Sequence, residues 1–259
     1  MKWLRFDDGN GPACGRLQDN GSTIEVIDGT PFGKHRDTGK RADLARVQLL
    51  APVEVHHVYG VGLNYVNHIK EVGAKTPKIP LLFMKPNSAV IGPDAPVIYP
   101  REGQDVHYEC ELAVVIGTRA RRVAVADALG VVFGYTCAND ISERVIQREE
   151  MGMGSLVVGK GYDTFCPLGP FVVTGIDPSN LRIQTRINGK VRQDSNTSDL
   201  LFDVPTLISY LSQAITLEPG DVIITGTPAG IGPVLPGDVM EIDIEGIGIL
   251  RNPVEAEHA

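Results

Sequence analysis

The segment Asp105-Val106-His107-Tyr108-Glu109-Cys110-Glu111-Leu112-Ala113-Val114-Val115-Ile116-Gly117 sets two carboxylates at the mouth of an unbroken apolar run. That run is rich in β-branched residues and closes on glycine, the pattern of a buried strand. On a strand, Glu109 and Glu111 point to the same face, roughly 7 Å apart along the chain. Two like charges beside apolar surface repel each other and lose hydration. A bound divalent cation resolves that conflict; a frayed strand start with two solvated glutamates resolves it as well. His107 shares their face and is a further conceivable ligand. A second candidate pair is His68 and Glu71, three residues apart and on one side of a helix. They form either a surface hydrogen bond or a base oriented by a carboxylate, imidazole being the side chain that titrates near neutrality. Lys85 interrupts the apolar stretch that begins at Leu81, so it either snorkels to the edge or faces an anion. Lys160 lies between Gly159 and Gly161, which lets backbone and ammonium approach a ligand closely.

Such groups need a framework. The 259 residues include 29 glycines and 18 prolines, more than helix bundles tolerate, which predicts many short strands joined by turns. Residues 1–52 read as a small β-rich N-terminal domain, with strands at Trp3–Phe6, Gly15–Leu17 and Thr23–Ile27. Within it Gly33–Arg41 reads as a polar segment whose Arg36, Lys40 and Arg41 form a solvated face. Pro52 marks the boundary to a larger domain, residues 53–259. There, Val58–Gly62 reads as a strand, and Asn64 as the cap of the helix bearing His68. Gly73–Pro80 has no regular pattern and is a lid candidate. Val131–Ala138 is an apolar strand that delivers Asn139-Asp140, and Ile141–Glu150 reads as a helix holding Arg144, Gln147 and Arg148. Asn188-Gly189 predicts a hairpin turn between Ile183–Ile187 and Lys190-Val191, with Gln193–Ser198 a polar loop beyond it. Leu207, Ile208 and Leu211 recur at helical spacing within Val204–Ala214. Val222–Thr225 and Val239–Ile244 read as adjoining strands of a closed or rolled sheet.

Composition excludes several function classes. A net charge of −8 with no basic tract argues against nucleic acid and anionic membrane as partners. No apolar run approaches the ~20 residues that span a bilayer. The opening Met1–Asp8 lacks the apolar segment of a signal peptide, so a cytoplasmic location is expected. Cys14, Cys110, Cys137 and Cys166 are scattered without a CxxC pair, which indicates neither a zinc knuckle nor a disulfide framework. Gly60-x-Gly62 lacks the third glycine of a dinucleotide loop, and Gly159-Lys160 lacks the Walker pattern.

The order of motifs is more specific than any one of them. Gly62-Leu63-Asn64-Tyr65-Val66-Asn67-His68 is followed by Phe83-Met84-Lys85-Pro86, Tyr108-Glu109-Cys110-Glu111-Leu112 and Asn139-Asp140-Ile141-Ser142-x-Arg144-x-x-Gln147. Gly159-Lys160-x-x-Asp163-Thr164-Phe165, Gln193-Asp194-Ser195-Asn196-Thr197 and Thr225-Gly226-Thr227-Pro228-Ala229-Gly230 continue the series. Over roughly residues 56 to 253 the chain resembles the fumarylacetoacetate hydrolase family. The resemblance implies an α+β fold, mainly β: a mixed β-roll catalytic domain, expected as a homodimer. It implies one divalent metal held by Glu109, Glu111 and Asp140, whose hard oxygens suit Mg2+ or Mn2+, with Ca2+ possible. It further implies a small-molecule oxo-acid substrate, 2-oxo or 2,4-dioxo, that chelates the metal. Lys160 and Lys85 would neutralise developing charge, and Thr227 with its glycine-rich turn would bind a substrate carboxylate. Arg144, Gln147 and Gln193 are candidates for the same anchoring. In hydrolytic members a lid pair, here His68 and Glu71, activates water. The expected reaction is hydrolytic C–C cleavage of an acylpyruvate or fumarylacetoacetate-like acid. The alternatives are isomerisation of an oxo-dienoic diacid (2-hydroxyhepta-2,4-diene-1,7-dioate isomerase-like) and decarboxylation of oxaloacetate.

Overall fold

In the computed structural model, which describes residues 1–258, Cys110–Ile116 is a strand buried along its whole length. Its side chains alternate between two apolar layers. Leu112, Val114 and Ile116 pack with Ile183, Leu207, Ile242 and Leu250. Ala113 and Val115 pack with Trp3, Val58, Phe83 and Ile224. A strand covered on both faces reads as continuous apolar sequence, which is why this one shows no alternation. Each fully buried Val, Leu or Ile contributes about 1.5–3 kcal/mol, so the strand's register is firmly held. Glu111 has the parity of Ala113 and Val115 and therefore emerges on their face.

Around this strand runs a mixed sheet of twelve strands. From one edge its main path is His35–Asp43, Thr23–Gly29, Pro12–Leu17, Lys2–Asp7, Cys166–Val173, Val132–Asn139, Cys110–Ile116, Val222–Ile224, Val58–Gly62 and Leu81–Lys85. Lys2 and Trp3 pair with Val173 and Val172, so the strands of residues 1–52 continue the sheet that carries Glu111. A five-stranded sheet, Lys190–Asn196 to Arg182–Ile187 to Val239–Ile244 to Gly248–Ala256 to Val97–Tyr99, covers one face. A small third sheet pairs Val106–Tyr108 with Ser142-Glu143 and Gly232-Pro233. Helices are few, so the fold is α+β and mainly β. No helix among the described residues is long and apolar enough to cross a membrane.

Several local expectations are met residue for residue: the strand Val58–Gly62, the helix Val204–Ala214 and the strand Val239–Ile244. Asn188 and Gly189 both take positive φ (51° and 73°), the conformation a two-residue hairpin demands. Others are corrected. Gly33–Arg41 is polar and solvated as expected, and it lies largely within an edge strand that the sequence did not indicate, His35–Asp43, exposed along almost its whole length. Its side chains carry no apolar alternation because neither face is covered; Arg36 and Arg41 instead pair with Asp28, Asp37 and Glu25. Gln193 lies inside the strand Lys190–Asn196 rather than in a loop. Ile141–Glu150 divides into the bridge strand Ser142-Glu143 and the helix Arg144–Gly152, where the Glu143 carboxylate caps by accepting from the Ile146 N–H (2.7 Å). Val222–Ile224 and Val239–Ile244 belong to different sheets. Asn64 does not cap the histidine helix. Its buried amide donates to the carbonyls of Phe202 and Thr225 (3.0 and 2.8 Å) and pins the helix entry, while Tyr65 holds the cap position.

Candidate active site

Glu109 occupies the break between the strands Val106–Tyr108 and Cys110–Ile116. Its N–H donates to the side-chain oxygen of Asn139 (2.9 Å), and its carbonyl accepts from the N–H of Asp140 (2.9 Å). Two strand ends are thereby tied together, which brings Asp140 beside Glu109 and Glu111. One oxygen from each of the three carboxylates lies within 4.8 Å of the others, and all three residues are buried.

Three cations stand against this cluster. Lys160 Nζ reaches Glu109 Oε2 (2.8 Å) and Asp140 Oδ2 (2.5 Å), and Lys85 Nζ reaches Asp140 Oδ1 (2.5 Å). Arg144 Nη2 meets Glu109 Oε1 at 2.5 Å. Burial alone would raise the Glu109 pKa, but the Lys160 and Arg144 charges overcome it and hold the carboxyl far below the usual range. Among the described residues Glu111 accepts only from the N–H of Gly226 (2.6 Å), and burial together with the charges of Asp140 and Glu109 pushes its pKa well up. Burial lowers the Lys160 pKa, yet Asp140 and Glu109 raise it more, so this ammonium stays charged. A buried carboxyl whose charge is disfavoured by burial and neighbouring carboxylates is one that a cation would favour ionising. The donor set, three oxygens and no sulfur or nitrogen, fits Mg2+ or Mn2+.

Lys160 is carried by the single turn Val158–Gly161. The Glu150 carboxylate accepts from the N–H groups of Val157, Val158 and Gly159 at 3.2, 2.8 and 2.9 Å. Those three bonds outweigh desolvation and lower the Glu150 pKa. Gly159 serves packing rather than ligand approach, since a Cβ there would lie 2.6 Å from the backbone nitrogen of Gln147. The Phe83 ring lies 5.1 Å from Lys160 Nζ, a cation–π contact that the sequence reading did not anticipate.

A cavity of about 430 Å³ opens over the cluster. Glu109, Glu111, Asp140 and Lys160 line it, together with Arg144, Gln147, Thr227 and His68. Val61, Leu63, Leu81, Phe83, Leu156 and Ile231 form an apolar wall. Two expected substrate anchors are absent from the lining. Lys85 sits behind Asp140, with a second bond to the carbonyl of Ile141 (3.0 Å). Gln193 is fully buried: its oxygen accepts from Cys110 N–H and Thr185, and its amide donates to Thr227 Oγ1 and the Pro228 carbonyl. It positions the Thr227 turn instead of facing the cavity.

His68 Nδ1 lies 2.9 Å from Glu71 Oε2, which leaves Nε2 of this cavity-lining ring for the ligand side. Glu71 also accepts, through Oε1, from the N–H of Gly230 (2.9 Å), so it fastens the helix Val66–Glu71 to the glycine-rich turn. The Gly230 carbonyl in turn accepts from the Tyr108 hydroxyl (2.8 Å), next to Glu109. Glu71→Ala is expected to speed amide hydrogen exchange across residues 66–80, whereas Glu71→Gln, which keeps an acceptor for Gly230, stays near wild type. An equal rise in both variants would show that this bond does not hold the lid.

His107 also lines the cavity, with Nε2 held 2.8 Å from Asp105 Oδ1. Burial and the Arg144 charge lower its pKa against the opposing pull of Asp105. The sequence suggests His107 only as a metal ligand and gives Asp105 and Tyr108 no role of their own. The i, i+2 spacing of Asp105 and His107 was the one available signal.

Comparison with known proteins agrees with this arrangement. The chain matches the fumarylacetoacetate hydrolase C-terminal family over residues 57–255 and the Rv2993c-like N-terminal family over residues 1–52. It is 44% identical over 221 residues to a mitochondrial oxaloacetate tautomerase, FAHD2A, of Bos taurus, spanning 81% of this chain and 70% of that protein. The crystal structure of 5-carboxymethyl-2-hydroxymuconate delta-isomerase from Mycobacterium smegmatis superposes with a TM-score of 0.92 at 43% identity, covering 99% of this chain and 100% of that one. Fumarylpyruvate hydrolase from Pseudomonas aeruginosa, in complex with Mn2+ and pyruvate, superposes at 0.76 with 33% identity, covering 81% and 92%. By ordered motifs, fold and family match alike, the chain belongs to the fumarylacetoacetate hydrolase family.

Proposed function

We propose that this protein is a divalent-metal-dependent enzyme acting on 2-oxo or 2,4-dioxo carboxylic acids, and that it hydrolyses a C–C bond of an acylpyruvate-like substrate. The observation that carries the reading is that the His68–Glu71 pair and the Glu109–Glu111–Asp140 cluster serve one cavity. The P. aeruginosa hydrolase, described with Mn2+ and the 2-oxo acid pyruvate, supports the same pairing of metal and ligand.

A Mg2+ or Mn2+ held by the three carboxylates would supply Lewis-acid polarisation of a chelating keto oxygen. The chain's own groups do the rest. His68 Nε2 takes a proton from water while Glu71 fixes the ring's tautomer and orientation. The Lys160 ammonium, preorganised and buried, offsets negative charge as it develops on the substrate. Arg144, Gln147 and Thr227 orient the acid along the cavity side.

A second reading is proton transfer without C–C cleavage, favoured by the 44% identity to an oxaloacetate tautomerase. A panel of acylpyruvates, oxaloacetate and oxo-dienoic diacids, assayed with Mg2+ and products identified by mass, separates the two. Under the hydrolytic reading His68→Ala lowers turnover by about 10²–10⁴-fold, the range of general acid–base catalysis. Retention of tautomerisation within ten-fold in that variant favours the second reading. Assembly as a homodimer is proposed from the family resemblance, and sedimentation in solution tests it.

A further inference from the structure

Two helices contribute to the cavity, and along each the lining side chains change from buried and polar to exposed and apolar. On the helix Val66–Glu71, His68 is 7% exposed. Val72 follows one turn later, its N–H donating to the His68 carbonyl (3.1 Å), and is 45% exposed. On the helix Arg144–Gly152, the lining residues are Arg144, Gln147, Arg148 and Met151, the i, i+3, i+4, i+7 spacing of one helix face. Arg144 is 8% exposed and bonded to Glu109. Met151 is 48% exposed and, at about 1.5 Å per residue, lies roughly 10 Å farther along the axis. Leu81, which opens the edge strand Leu81–Lys85, is a third half-exposed apolar side chain on the lining. Val72, Leu81 and Met151 therefore mark an apolar mouth above a charged interior. Apolar side chains left open to water around a cavity are the mark of a ligand-binding groove.

The cations of the lining are distributed the other way. Lys160 and Arg144 are both committed to carboxylates of the cluster. Arg148 is the remaining lysine or arginine among the described lining residues. Its side chain is 65% exposed and meets Asp105 at 3.5 Å, so water already solvates it. A second carboxylate at the far end of a ligand would give up hydration near Val72, Leu81 and Met151 and gain only an exposed ion pair. An alkyl group in the same place leaves water altogether, which is worth about four-fold in affinity per methylene. We propose that the outer half of the cavity is an apolar subsite for the substrate's tail. The protein thereby selects 2-oxo monoacids carrying a chain of several apolar carbons over the matching diacids. Val72 and Met151 are its specificity residues. This rests on the oxo-acid reading given above and deepens it by naming the end of the molecule remote from the metal.

The test is calorimetric binding to the Mg2+-loaded full chain of three acids that lack a second keto group and so resist C–C hydrolysis. They are 2-oxopentanoate, 2-oxooctanoate and 2-oxooctanedioate. Wild type is expected to bind 2-oxooctanoate at least about ten-fold tighter than 2-oxopentanoate, from the three added methylenes. It is expected to favour 2-oxooctanoate over the diacid by a similar factor. Met151→Lys sets an ammonium at a half-exposed position and is expected to bring the diacid level with the monoacid or past it. Should that variant not fold, Met151→Ala is expected to shrink the gain from chain length. Equal binding of the two monoacids to wild type overturns the subsite and leaves the oxo-acid reading standing. So does selectivity unchanged in the Met151 variant. A wild-type preference for the diacid that Arg148→Gln abolishes overturns it too, and gives the mouth to a second carboxylate instead. Failure of all three acids to bind wild type overturns the oxo-acid reading itself.

Discussion

Lys160→Met is expected to lower turnover by at least about 10²–10³-fold, the loss typical of removing one preorganised charge-stabilising donor. The same change is expected to destabilise the metal-free protein, by about 3 kcal/mol at most, since removing one member of a buried ion pair leaves charge less compensated. Glu109 and Asp140 each lose one of two cationic partners and keep Arg144 and Lys85, with the lost ammonium only 3% exposed. The two effects separate experimentally. A bound divalent cation would compensate the under-neutralised carboxylates, so Mn2+ should recover much of the lost melting temperature while turnover stays low. Lys160→Arg should not restore activity, because a planar guanidinium cannot replace a compact ammonium between two carboxylates above the Phe83 ring. Normal turnover in Lys160→Met would remove this residue from the chemistry.

Glu111→Gln is expected to move stability and activity in opposite directions. The folded-state pKa of Glu111 lies well above its ordinary value, through burial and the charges of Asp140 and Glu109. The folded protein therefore holds this proton more tightly than the unfolded chain does. Below the unfolded pKa both states are protonated and the group costs nothing; as pH rises toward the folded pKa, stability is progressively lost. Glutamine never ionises, so the metal-free variant should melt higher than wild type at neutral pH, with the difference vanishing near pH 4. The metal response should invert. At a cation concentration of 100 times Kd, wild type gains about 2.7 kcal/mol. The variant, with one oxygen donor weakened to an amide, should gain far less and turn over about 10²-fold more slowly or worse. Thermal melts across pH, with and without Mn2+, check both halves. A variant that is less stable without metal, yet still stabilised by it, would contradict the assignment.

What the sequence discloses follows from how local the cause is. Glu109 and Glu111 are legible because strand parity alone places them on one face, and the apolar run behind them is buried on both sides. His68 and Glu71 are legible for the equivalent reason on a helix. Gln193 misleads because its strand is polar along most of its length, so nothing local shows that this one amide turns inward to brace Thr227. The edge strand His35–Asp43 hides likewise, since an uncovered strand has no apolar period to display. The bond from Gly230 N–H to Glu71 joins residues 159 positions apart, a contact that no local pattern announces. Those features are products of tertiary packing. The ordered motifs foretold which residues would meet; the hydrogen bonds among them had to be seen.

The central claim is that Glu109, Glu111 and Asp140 hold a divalent cation on which a 2-oxo acid reacts. The most direct measurement is turnover of an acylpyruvate and of oxaloacetate by the full chain, after exhaustive chelation and again after adding Mg2+ or Mn2+. Activity should fall to background without the cation and return with it in wild type, and should not return in Asp140→Asn. Full activity surviving chelation, or restored equally in Asp140→Asn, would contradict the account.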